Sequence, residues 1–176
     1  ETNKWLASME GNNIKISAIG ILLSVYLMFG CPHFLHSDRA YISLVHHFFH
    51  ANIFHLAVNC LSIWTLFRKG YIYSITPLIW AYLIASASWF CTPDDVVGFS
   101  NIIFALIGLR TPSLRHAWWK QPTVILFLAI TALMALLPQV SALTHIVSFV
   151  LGCIVAGAYR VVNNLSRDFR RATYNR

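Results

Sequence analysis

The sequence predicts an all-α membrane protein built from six helical spans, the fourth of them short. Three observations predict it. Hydrophobic residues make up 57% of the 176 residues and charged ones only 11%, against the roughly 25% charge usual in soluble domains. The apolar residues come in blocks rather than amphipathic stripes, as lipid-facing segments do. Prolines fall at or near the block ends, at Pro32, Pro93, Pro112, Pro122 and Pro138, where helix breakers belong.

The blocks are Ile14–Cys31, Ile53–Phe67, Ile75–Phe90, Ser100–Leu109, Thr123–Leu137 and Leu143–Val162. The opening "ETNKWLASME" is polar, and the run after it has no clear small-residue cleavage site, so it reads as a first span rather than a signal peptide. There is no internal repeat or low-complexity segment, and the longest connection runs from Pro32 to Asn52. Residues 1–176 form a single membrane domain that ends in a basic cytoplasmic tail over residues 163–176.

The net charge of +7 is explained by topology. With the N-terminus in the cytoplasm and six alternating spans, the inner segments hold Lys4, Lys15, Arg68, Lys69, Arg110, Arg115, Lys120, Arg160, Arg167, Arg170, Arg171 and Arg176, and the outer segments hold only Arg39. This is the positive-inside pattern. It excludes nucleic acid as the reason for the basic excess and makes the tail "RDFRRATYNR" a solvated or lipid-touching segment. The outer loops carry Asp38, Asp94 and Asp95. Both termini are then cytoplasmic, and economy of length favours a bacterial inner membrane. Trp118, Trp119, Tyr71 and Tyr73 fit an interfacial belt. Cys60 and Cys153 fall inside spans as core residues, whereas Cys31 and Cys91 lie near the outer face, where a disulfide is chemically possible.

Polar groups in a bilayer are costly and ask for a reason. Four stand out: His55 and Asn59 in "FHLAVN", Ser100 in "GFSN" and His145 in "LTHIVSF". Taking the first inner basic residue of each span as a depth marker, at about 1.5 Å per residue, Ser100 and Asn59 lie roughly 14–15 Å above the cytoplasmic edge and His55 and His145 roughly 20–22 Å. In a core about 30 Å thick, three helices thus deliver polar side chains to one layer. The fourth block covers only half that thickness, so the preceding "TPDDVVGF" must dip inward, which is tolerated only beside protein or a wet cavity. Ser100 is then expected at the floor of an outward-opening pocket, among the unpaired N–H groups of a helix N-terminus.

That chemistry suits acyl transfer. A neutral imidazole at His145 can take the serine proton and return it to a leaving amine. His55 and Asn59, one turn apart, can donate to a developing oxyanion. No acidic residue shares the layer, so the reading is a Ser–His dyad. Ser148, Gly152 and Ala156 form a small-residue stripe on the sixth span, with Ala105 and Gly108 available opposite it on the fourth.

"HHFFHANIFHLAVN", "GFSNIIFALIG" and "HIVSFVLG" together resemble the rhomboid family of intramembrane serine proteases, over Tyr41 to about Tyr159. The resemblance implies a six-helix rhomboid-like bundle with a short central fourth helix, Ser100 as nucleophile and His145 as general base. It also implies an oxyanion hole from His55, Asn59 and the Ser100 N–H. Gly98, Asn101 and His50 would join the oxyanion and substrate-binding site, with His50 in the first outer loop, beneath which water enters. Phe104, Gly108, Ser148 and Gly152 would pack the helices. The fifth helix and "PQVSAL" would form a lateral gate and cap. The partners implied are transmembrane-helix substrates, cut near their outer ends, and membrane lipids. A monomer suffices, with no metal or cofactor.

The chain departs from the family pattern in several places. Asn101 follows the nucleophile where glycine is usual, Phe104 replaces a common tyrosine, and Ser148 replaces a usual glycine. The first-loop arginine is missing from its usual place, with Tyr41 and Arg39 nearby. Asn101 motivates a second reading, an inert relative that binds transmembrane clients. A third is a haem protein clamped by His55 and His145. His46, His47 and His50 could suggest a metal, but no H-E-x-x-H arrangement or thiolate accompanies them, and polar loop histidines are the default.

Overall fold

The computed structural model describes residues 2–30, 39–68, 75–91, 97–111 and 141–174, together with positions 125, 128, 129 and 132. Among the described residues the protein is helical, without strands. The elements are α1 (Thr2–Phe29), α2 (Arg39–Val45), a 3-10 turn (His46–Phe48), α3 (Ile53–Arg68), α4 (Ile75–Trp89), α5 (Ser100–Arg110) and α6 (Ala142–Tyr174). Five of the six apolar blocks thus contain helices. The fifth block, with the proposed gate and the first half of "PQVSAL", lies largely outside the described residues, as do Asp38, Asp94, Asp95, Tyr71, Tyr73, Trp118, Trp119 and Cys31. Cys91 is an exposed free thiol.

Among the described residues two helices, α1 and α6, contain stretches, Asn12–Phe29 and Ala142–Ser166, long and apolar enough to cross a membrane alone. Both helices exceed their apolar blocks. α1 begins at Thr2 and α6 continues through residues 163–174, the segment set apart above as a tail. Neither extension contains proline, and Lys, Arg, Ala and Leu favour continued helix.

α5 is the centre of the fold. Its residues from Asn101 to Gly108 are all buried, as expected of a helix that is apolar around its whole circumference. Leu56 and Ile63 of α3, Ala81, Ile84 and Ala85 of α4, and Leu22 of α1 share its core. The outer faces stay greasy: Leu27, Leu61, Trp80, Ile146 and Ile154 are all exposed, a surface that matches lipid rather than water. Even Lys15 of α1 is turned inward, its ammonium 3.8 Å over the Trp64 ring and 2.9 Å from Asn12 Oδ1, a cation–π contact joining α1 to α3.

α5 and α6 approach each other closely. A Cβ placed on Gly152 would lie 2.5 Å from the Ala105 carbonyl and 3.1 Å from the Gly108 Cα. Only glycine permits that backbone contact. Ala105 and Gly108 therefore do face the small-residue stripe. Ser148, one turn earlier on α6, turns instead to α4, where its hydroxyl meets that of Ser88 at 2.6 Å.

Candidate active site

Three helix N-termini converge here. Asn52 caps α3, its Oδ1 accepting the His55 N–H at 2.8 Å, and Ser141 caps α6, its Oγ accepting the Thr144 N–H at 3.2 Å. These are side-chain N-caps. They place His55 and His145 in or next to the first turns of their helices. α5 has no side-chain cap: Phe99 precedes it in helical geometry, and its carbonyl takes the N–H groups of Ile102 and Ile103. The N–H groups of Ser100 and Asn101 remain outside the helix's own bonding. Helix N-termini carry partial positive charge, so the site favours an anion before any side chain is counted.

Ser100 and His145 meet. The Ser100 Oγ lies 2.7 Å from Nε2 of His145, across 45 residues of sequence. With the ring hydrogen on Nδ1, the serine hydroxyl donates to Nε2. Nδ1 has no partner among the described residues. The imidazole lies flat on Phe104, ring centroids 4.6 Å apart and planes 14° apart. His145 is 5% exposed and Ser100 half-buried, so the base is shielded while the hydroxyl keeps access.

His55 and Asn59 lie beside Gly98. Gly98 has φ +126°, and a Cβ on it would stand 2.6 Å from Cε1 and 2.8 Å from Nε2 of His55, and 3.5 Å from Asn59 Nδ2. The turn leading into the nucleophile is thus laid directly on the two expected donors. Asn59 Nδ2 is buried with no partner among the described residues, an N–H donor held out of water. The Gly98 N–H in turn donates to the His46 carbonyl at 3.1 Å, which ties the turn before Ser100 to the first loop.

The loop histidines lie in the interior. His46, His47 and His50 are fully buried. His46 Nδ1 donates to the Ile42 carbonyl at 2.9 Å, and His47 Nε2 lies 3.2 Å from the Ser86 hydroxyl. His50 stands edge-on to His55, centroids 5.2 Å apart. Burial pushes His46 down to about 4 and His50 down to about 3, the latter helped by His55 beside it. Both are neutral at pH 7.

Asn101 is buried, its Oδ1 unpartnered among the described residues. Sequence reasoning did not single out Ser86, Ser88, Asn52 or Ser141. Single serines in a membrane helix carry no signal of their own, but "AN" before "IFH" and "S" before "ALT" are capping patterns that could have been read.

Searches among curated proteins and among solved structures find no match. The family model described as Rhomboid domain matches residues 37–161, well over half of the chain and including every residue of this site. With a central helix opening at Ser100 and the matching domain spanning its surroundings, the chain is an integral membrane protein of the rhomboid family of intramembrane proteases.

Proposed function

We propose that the protein is an intramembrane serine endopeptidase working by a Ser–His dyad. The observation that carries this reading is the 2.7 Å contact between the Ser100 Oγ and Nε2 of His145. In the proposed mechanism His145 accepts the Ser100 proton as the oxygen attacks a peptide carbonyl. Its imidazolium then protonates the leaving amine, and water deacylates the enzyme by the reverse route. The Ser100 N–H, His55 and Asn59 stabilise the oxyanion, supported by the α5 N-terminus. The substrates are transmembrane helices cleaved near their outer ends. Six spans, cytoplasmic termini and a site facing the periplasm of a bacterial inner membrane complete the reading.

The test is cleavage of a model transmembrane substrate together with labelling by a fluorophosphonate. Both should require Ser100 and His145. Cleavage undiminished in Ser100→Ala or His145→Ala would falsify the proposal.

The buried amide of Asn101 favours one competing reading, an inert client-binding relative. That reading expects no labelling of the wild-type chain and its appearance in Asn101→Gly. The haem reading loses support because Nε2 of His145 is engaged by Ser100. A Soret band in the purified protein would revive it.

A further inference from the structure

We infer that Ser88 and Ser148 form a hydrogen-bonded clasp between α4 and α6 that positions the His145 imidazole, an inference resting on the dyad reading above. Both hydroxyls are 0% exposed and their oxygens are 2.6 Å apart. The Ser88 Oγ also lies 2.7 Å from the Ala85 carbonyl, to which it donates. A serine has one proton to give, so Ser148 is the donor to Ser88. The bond therefore has a direction and a defined geometry.

His145 needs such a device. Its Nδ1 has no acceptor among the described residues, so no third side chain orients the ring. Phe104 fixes the plane of the imidazole but leaves it free to slide along that plane, because a stacking contact has little directional preference within the plane. The position of Nε2 then depends on the rotation and axial register of α6. Gly152 and Gly108 set how closely α6 approaches α5, but an approach between two glycines does not resist rotation. Ser148 is three residues after His145, near the same face of α6. Its bond to Ser88, on a different helix, resists that rotation. Both residues are 0% exposed, so bulk water does not compete for the bond.

α4 makes a second bond of this kind, from Ser86 to His47. The His46 carbonyl beside it holds Gly98 before the nucleophile. α4 is thus bonded on one side to the loop that braces Ser100 and on the other to the helix that carries the base. Ser88 and Ser148 are positioning residues and touch no reacting atom.

The experiment is a double-mutant cycle on the full chain in detergent or liposomes: Ser88→Ala, Ser148→Ala and the pair, with Ser100→Ala as control. Each single variant should lower kcat by between about threefold and twentyfold with KM unchanged. The pair should be no slower than the slower single variant, since both remove one bond. Wild-type kcat in either single variant, or losses that multiply in the pair, would overturn the clasp. Because the two variants lie on different helices, a folding defect in one leaves the other to decide, with thermal unfolding recorded alongside. Activity retained in Ser100→Ala would instead sink the dyad reading, so the two failures are distinguishable.

Discussion

Phe104 lies flat against His145, its ring 4.6 Å away and only 14° off parallel. Phenylalanine carries no hydroxyl, so the ring's part here is one of shape. Phe104→Ala should lower kcat by roughly ten- to a hundredfold through misplacement of the base. Phe104→Tyr should stay near wild type. Steady-state cleavage and the rate of fluorophosphonate labelling check both.

Gly98→Ala should be severe. Its Cβ would stand 2.6 Å from a ring carbon of His55, in a backbone conformation, φ +126°, that side chains rarely adopt. Strain of about 1–3 kcal/mol should lower the melting temperature, and displacement of His55 should cut kcat more than binding. A variant with unchanged kcat would show that His55 contributes nothing at this position.

Two glycines of α6 should behave oppositely. Gly152→Val must push the helix away from the Ala105 carbonyl, which a Cβ would approach to 2.5 Å, and should separate base from nucleophile. Gly157 has nothing within 4 Å of a built Cβ, so Gly157→Ala should keep full activity and gain up to about 1 kcal/mol of helix stability. Thermal melts and cleavage rates on the two variants test the contrast.

Acid should destabilise the fold. His46 and His50 bind protons far less readily when folded, at about 4 and about 3, than in an unfolded chain, near 6.5. Below pH 6.5 the unfolded state therefore takes up more protons, and stability falls as pH drops from 6.5 towards 4. It is fully present above 6.5. Melting temperatures in detergent across pH 4–8 should show this slope, and His50→Phe should flatten it. A pH-independent wild type would contradict the burial of these rings.

Much of the site was legible because lipid makes polarity expensive. Ser100, His145, His55 and Asn59 announced themselves as polar residues at one depth, and the brevity of Ser100–Leu109 announced α5. The first loop was not legible. Its helix Arg39–Val45 and the buried His46–Phe48 turn read as polar connection, because their burial comes from Ser86 and Gly98, both distant in sequence. Ser88 and Ser148 were equally silent, since a serine pair across 60 residues has no spacing that sequence alone exposes.

The enclosure of α5 has a further consequence. Since every residue from Asn101 to Gly108 is covered by protein, fatty tails have little direct contact with the middle of the helix that bears Ser100. Changes in acyl length or saturation press on the surrounding helices and reach the Ser100–His145 pair mainly through them. Swapping the host lipid should therefore alter how readily a client enters more than how fast its peptide bond is cut once inside.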